Sequence, residues 1–206
     1  MRVQPPVIFF PGATGAGDFW SPVAALLPRG WETRLLSWPG AGGVPSAPEI
    51  NGYNDLVELA AAAVPDGGDV VAQSMGGVVA IGLALARPRR LRRLVLVATS
   101  GGLDVGALYG EDWRDQYRAE FPQAAPWVTA DSVDYSERLA ELDLPVCLIW
   151  GYADPISPPA VGRALHARLS ASVLHVLSGG THALARERPG EVAALIEQHL
   201  TATPES

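Results

Sequence analysis

Three side chains in this sequence have the types and the chain order needed for nucleophilic acyl transfer. Ser74 stands in "VVAQSMGGVVA", between a strand-like run and a helix-like run that are both apolar, with Gln73 as its only polar neighbour. Asp154 stands in "GYADPISPP", directly after the apolar run 146–150, and His182 in "SGGTHALARERP", directly after the run 173–177. A serine hydroxyl is a weak nucleophile until a base takes its proton, and the base must be held by an acid. Serine, aspartate and histidine in that order, each just past the end of a strand, would line one edge of a sheet. Singly, each has a plainer use. Ser74 would cap a helix, Asp154 would make a turn before Pro155, and His182 would cap the last helix. Three placements in the right order favour the catalytic reading.

The elements that must position these residues follow from hydrophobic patterning. Runs with the character of buried parallel strands are expected at 7–10, 34–38, 70–72, 94–98, 146–150 and 173–177. Helical segments are expected between them at 19–27, 55–64, 75–86 and 159–169, with a last one at 189–200. Such alternation means an α/β fold, a mostly parallel sheet of about six strands with helices on both faces, and the expected strand order is 2-1-3-4-5-6. Gly40–Tyr53, rich in glycine and proline, reads as a long surface loop. Leu103–Leu144 is too long for an ordinary connection. Residues 1–102 and 145–206 are therefore expected to form the core domain, and 103–144 an inserted helical lid.

Around Ser74 the sequence reads Ala72-Gln73-Ser74-Met75-Gly76. Small residues two positions either side of the serine suit a strained strand-to-helix turn that exposes the hydroxyl at a helix N-terminus. Ala72 adds one methyl to the G-x-S-x-G form of this turn. An oxyanion hole needs two backbone N–H groups. One is expected from Met75 and the other from Ala13, in the "PGATGAG" loop after the first strand. With the expected strand order, that loop and Ser74 flank the topological switch point, where open α/β sheets bind ligands. Gly12, Gly15 and Gly17 do not give G-x-G-x-x-G, and a chain with no lysine has no P-loop, so a nucleotide site is excluded.

Composition narrows the classes further. A net charge of −7 argues against nucleic acid as a partner. The single cysteine, Cys147, fits a reducing compartment, and no run reaches the length of a membrane span or a signal-peptide core, so a cytoplasmic protein without membrane contact is expected. The four histidines share no ligand spacing, so neither a metal nor another cofactor is implied. His175 falls in a strand, His166 and His199 in helices, Asp143 before its strand and Asp134 in the lid, which makes them poorer candidates. The basic cluster Arg87–Arg93 precedes its strand and belongs at the edge opposite the site. Cys147 and Trp150 are expected in the core.

Along nearly its whole length the sequence resembles the α/β-hydrolase superfamily. The resemblance is carried by "FFPGATGAGDFW", "WPGAGG", "VVAQSMGGVVAIGLA", "LVLVATS", "LPVCLIWGYADPISPP" and "GGTHALARERPGEVAALIEQHL". It is similar to the small-lid carboxylesterases and lactonases, such as the pimeloyl-carrier-protein methyl esterases and oxoadipate enol-lactonases. The resemblance implies the triad already reached from placement, Ser74, Asp154 and His182. The sequence departs from the pattern at three points. Pro11 replaces the usual histidine before the oxyanion-loop glycine. The sheet is expected without the family's two N-terminal strands. Val78 stands where pyruvate-eliminating relatives carry arginine after the double glycine.

In the lid, Tyr109, Trp113, Tyr117 and Phe121 recur every four residues and would form one helical face. That face would dock the lid on the core, and Trp113, Tyr117 and Phe121 are the candidates for roofing an apolar pocket over Ser74. Arg114 and Arg118 are surrounded by Glu111, Asp112, Asp115 and Glu120, which suits a solvated ion-pair surface. The expected reaction is cleavage of a small carboxylic ester or lactone, free or carrier-linked, through an acyl-enzyme on Ser74. Two alternatives use the same scaffold: elimination with the triad as base, and ligand binding without turnover. A histidine base must be neutral to act, so activity is expected to rise with pH through an apparent pKa of roughly 6–7. A flat pH–rate profile over that range with the fold intact would refute the assignment.

Overall fold

Strands that are apolar on both faces must be covered on both faces, and this requirement sets the architecture. A computed structural model describes residues 4–104, 108 and 110–203. Six strands, β1 (Val7–Phe10), β2 (Thr33–Leu35), β3 (Gly68–Gln73), β4 (Leu91–Val97), β5 (Val146–Gly151) and β6 (Ser172–Leu177), form one sheet in the order β2-β1-β3-β4-β5-β6. Every pairing is parallel. The expected strand order is the observed one. All residues of β1, β3 and β5 are buried.

The helices are α1 (Ser21–Ala24), α2 (Tyr53–Ala63), α3 (Met75–Ala86), α4 (Arg114–Glu120), α5 (Trp127–Ala130), α6 (Pro159–His166), α7 (Leu184–Glu187) and α8 (Pro189–Thr201). Side chains alternate across the strands. Ile8, Phe10, Val70 and Ala72 face a layer containing residues of α2, α3 and α6, while Val7, Phe9 and Val71 face α1, α7 and α8. From Met75 to Ala84 every residue of α3 is buried. That helix is apolar all round because it has the sheet behind it and α2 and the inserted segment in front. A Cβ at Gly82 would press on both Val57 and the Tyr135 hydroxyl. Among the described residues no helix is long and apolar enough to cross a membrane.

Three expected elements come out shorter, one of them α6, which ends at His166 where 169 was expected. The helix expected over 19–27 is a 3-10 turn, Gly17–Trp20, followed by α1. Trp20 turns inward to donate its indole N–H to the Phe10 carbonyl (2.9 Å), and past Ala24 the chain winds down through i→i−3 bonds from Leu26 and Leu27. The strand expected over 34–38 ends at Leu35, because Ser37 and Trp38 turn away to bond the loop after β1. The Ser37 hydroxyl accepts from Gly17 N–H, and the Trp38 N–H donates to Gly15 O. Arg87, Arg90 and Arg92 pair with Glu58, Asp66 and Asp69 at the amino ends of the strands, away from Ser74.

His199, in the last turn of α8, donates Nε2–H to the Pro145 carbonyl (3.3 Å) and sits beside Arg92 and Arg93. Burial, then the Arg93 charge, pushes its pKa down to about 4, against the pull of its carbonyl contacts. The folded chain therefore keeps this imidazole neutral at a pH where the unfolded chain, with an ordinary value of 6.5, takes up a proton. Its contribution to stability is present above pH 6.5 and is lost as pH falls toward 4. In urea denaturation at pH 7 and pH 5, His199→Gln is expected to lose less of its midpoint on acidification than the native chain. Equal losses would refute the linkage.

Candidate active site

The chain passes from β3 to α3 through one residue, Ser74, whose φ of 51° and ψ of −122° lie in the left-handed half of backbone space. The turn is held on both sides. Ser74 N–H donates to Val97 O (3.0 Å), while Ser74 O accepts from Gly77 N–H (2.9 Å) and from the Thr99 hydroxyl (2.6 Å). A Cβ at Gly76 would collide with the Pro11 and Phe10 carbonyls, and one at Gly77 with the Thr99 side chain. Both glycines are required by close approach.

The turn aims the Ser74 hydroxyl at His182. His182 Nε2 lies 3.0 Å from Ser74 Oγ, and His182 Nδ1 lies 2.9 Å from Asp154 Oδ2. The other oxygen of Asp154, Oδ1, accepts backbone N–H groups from Ile156 and Ser157, both at 2.9 Å. Asp154 is thus an acceptor throughout, which leaves the proton on Nδ1 and Nε2 free to accept from the serine. The Asp154 side chain is fully buried, whereas that of His182 is 21% exposed. The two loops bearing them touch through backbone. Ala153 N–H donates to Gly180 O and Tyr152 N–H to Leu177 O (both 2.9 Å), and a Cβ at Gly151 would collide with the Gly180 carbonyl.

The loop after β1 closes the site from the other side. Trp38 Nε1–H donates to the Pro11 carbonyl (2.7 Å), and Gly15 N–H to Gly12 O (3.0 Å). Pro11, which stands where the sequences it resembles usually carry histidine, therefore has its carbonyl anchored by a buried indole. Met75 N–H opens α3, at the positive end of its dipole, and Ala13 sits in the loop facing Ser74. Among the described residues neither of these N–H groups meets an acceptor.

Two hollows meet at Ser74 and His182. The larger, about 490 Å³, runs past Tyr53, Met75, Val78 and Val128 to a rim bearing Arg114 and the carboxylates of Asp104, Glu111, Asp112, Asp131 and Asp134. The smaller, about 250 Å³, is walled by Ala13, Phe19, Tyr117 and Phe121. Trp113 and Ile156 line both. The aromatic face expected over 109–121 is only partly helical. Helix α4 covers Arg114–Glu120, with Trp113 and Phe121 as its caps, and Tyr109 lies outside the described residues. The three rings follow one another, Trp113 edge-on to Tyr117 (centroids 5.3 Å apart) and Tyr117 tilted against Phe121 (5.1 Å), and they pack on the core as well as walling the smaller hollow. Arg114 and Arg118 pair with Asp112 and Asp115.

The other histidines and aspartates stand apart from Ser74. His175 is in β6, His166 bonds Ser172, and Asp143 is exposed ahead of β5. Asp134 reaches the larger hollow, but its carboxylate is engaged by Ser136. Sequence reasoning missed Thr99, which holds the Ser74 carbonyl, and Gln73, whose Nε2 donates to His182 O (3.3 Å). A buried glutamine beside Ser74 was the one available signal.

The fold and the placement of these residues define an α/β hydrolase. The family model described as the alpha/beta hydrolase fold matches residues 5–126, more than half of the chain, and the chain belongs to that family. Among curated relatives, a pimeloyl-[acyl-carrier protein] methyl ester esterase of Neisseria meningitidis is 26% identical, the match covering 76% of this chain and 64% of that protein. The chain thus spans less than two thirds of that relative's length. A protein of the same name from Aeromonas hydrophila is 27% identical over 94% of both chains. Among solved structures, a hydrolase from Pseudomonas aeruginosa superposes with a TM-score of 0.78 at 20% identity, covering 97% of this chain and 91% of that one.

The close approach at Gly76 yields a direct test. Gly76→Ala forces the Pro11 and Phe10 carbonyls to move and should cost about 1–3 kcal/mol in urea denaturation. Gly43→Ala, where a Cβ meets open space, should stay within about 0.5 kcal/mol of the native chain. Equal stability of the two variants would show that the turn has room to spare.

Proposed function

We propose that this chain hydrolyses carboxylic esters or lactones of small to medium acyl groups through an acyl-enzyme on Ser74. The observation that carries the reading is the unbroken relay from Asp154 through His182 to Ser74, with bonds of 2.9 and 3.0 Å. In this reading His182 takes the Ser74 proton as Oγ attacks the substrate carbonyl, while Asp154 fixes the imidazole's tautomer and stabilises its charged form. The N–H groups of Ala13 and Met75 receive the developing oxyanion. His182 then gives the proton to the leaving alkoxide. Water, activated by the same imidazole, releases the acid.

The curated relatives named as methyl ester esterases support an ester as the substrate class. Residues 103–144 serve as the lid, and Trp113, Tyr117 and Phe121 as walls of the substrate site. The smaller, aromatic hollow suits an apolar group. The carboxylates around the larger hollow outnumber Arg114 and favour a neutral or cationic group over an anionic one, which weighs toward a free small ester over an acidic carrier-linked one. Val78, an apolar wall residue beside Ser74, stands where pyruvate-eliminating relatives carry arginine, and this favours hydrolysis over elimination.

The test is turnover of p-nitrophenyl esters of increasing acyl length, with Ser74→Ala and Asp154→Asn alongside. Ser74→Ala should abolish turnover and labelling by a fluorophosphonate. Asp154→Asn should lower kcat by a factor on the order of 10³–10⁴ with the fold intact. An absence of Ser74-dependent turnover across the series and on lactones would overturn the proposal.

A further inference from the structure

A hydroxyl buried in an apolar wall costs free energy unless it is bonded, and a wall needs no hydroxyl. Tyr117, buried on α4, has its hydroxyl engaged twice. It donates to Ala13 O (2.8 Å) and accepts from Gly42 N–H (2.7 Å). The two loops it joins already lie backbone against backbone. A Cβ at Gly15 would collide with the Ala41 carbonyl, and one at Gly42 with the Thr14 carbonyl. One side chain of the inserted segment thus ties together the loop after β1 and the loop after β2.

Ala13 is the residue on which this bond bears. The carbonyl before it, Gly12 O, is held by Gly15 N–H, and its own carbonyl is held by Tyr117. Gly12 O shares a peptide plane with the Ala13 N–H and Ala13 O lies in the next plane, so the two bonds restrain both planes that meet at Ala13, and the bond from Tyr117 limits the rotation that would carry the N–H away. The loop's other bonds come from Ser37 and Trp38 and from its own turn, Gly15 N–H to Gly12 O, all outside residues 103–144. Among the described residues, Tyr117 is the one side chain of residues 103–144 hydrogen-bonded to residues 11–17. Burial raises the Tyr117 pKa above its ordinary value of 10.0, so the hydroxyl keeps its proton and remains a donor.

We propose that Tyr117 is a positioning residue whose hydroxyl holds the oxyanion loop in its working geometry, making the Ala13 N–H donor conditional on the seating of the inserted segment. The proposal rests on the serine-hydrolase reading above for its effect on rate, but not for the tether itself. It adds to the wall role of the ring a role for the oxygen that Phe121 and Trp113 do not share.

Tyr117→Phe removes the oxygen and keeps the ring, so packing and hollow volume are preserved. On the best p-nitrophenyl ester, kcat should fall about tenfold, less than the loss of a whole oxyanion donor, with KM within about twofold. Affinity for a trifluoromethyl ketone, whose serine adduct places an alkoxide in the hole, should fall by a similar factor. Amide hydrogen exchange over residues 12–16 should quicken. Gln123→Ala is the control, since Gln123 Nε2 donates to Gly42 O (3.2 Å) and docks the same segment without touching Ala13. It should leave kcat and loop exchange unchanged.

An unchanged kcat in Tyr117→Phe, a change in KM alone, or an equal loss in Gln123→Ala would overturn the proposal. If the native chain shows no Ser74-dependent turnover, the hydrolase reading fails by itself. Exchange then decides the tether: quickened exchange over 12–16 upholds it and unchanged exchange overturns it.

Discussion

The one-residue passage from β3 to α3 is the constraint on which the rest of the structure depends. Holding Ser74 at a φ of 51° costs on the order of 1–3 kcal/mol, and it persists only where neighbours leave no alternative. Those neighbours are the two strands flanking β3. Strand β4 supplies the Val97 carbonyl and, just beyond it, Thr99, which grips the Ser74 carbonyl. Strand β1 ends in the Phe10 and Pro11 carbonyls that lie against Gly76. The strand order β2-β1-β3-β4-β5-β6 therefore does more than gather loops at one edge. By seating β3 between β1 and β4, it builds the walls that keep the strained turn from relaxing.

The same economy of space governs the partners of Ser74. The loops after β5 and β6 touch at Gly151 and Gly180, and backbone bonds between them set the distance from Asp154 to His182. All three bonds to the Asp154 carboxylate come from its own loop or from His182. Imidazole orientation is consequently fixed by main chain, with little left to the rotamers of long side chains. The core alone thus presents the relay. Residues within 103–144 wall the two hollows, and one of their hydroxyls, that of Tyr117, bonds the loop carrying Ala13.

What was legible in the sequence was what is local. Val7–Phe10 and Met75–Ala86 are found at the expected boundaries, because Pro11, Ser74 and the Arg87–Pro88 step punctuate unbroken apolar runs. The order of Ser74, Asp154 and His182 was readable because each lies in the turn or loop that follows its strand. Trp38 read as the end of a strand, but its indole is spent on the Pro11 carbonyl, a contact between residues 27 apart in the chain. Trp113 and Phe121 fit the four-residue period yet cap a short helix, since Pro122 follows directly and the rings are held by core packing. The bond from Tyr117 to Ala13 joins residues 104 apart. No period or composition signals such a contact, because tertiary closure, and not local preference, selects it.

The distribution of charge follows from the same topology. Arginines 87, 90 and 92 meet their carboxylates at the amino ends of the strands, while Ser74 stands at the carboxyl end of β3. From Asp69 to Ser74 along an extended strand is about 17 Å, at roughly 3.3 Å per residue. That is about twice the screening length of roughly 8 Å at physiological ionic strength, so the exposed members of the basic cluster contribute little at the edge bearing Ser74. The field that matters there comes from nearer groups: the buried Asp154, the positive end of α3, and the rim of carboxylates with Arg114. The first two are fixed by the strained turn and the touching loops. The third belongs wholly to residues 103–144, so the charge around the larger hollow can change in those residues while the relay keeps its place.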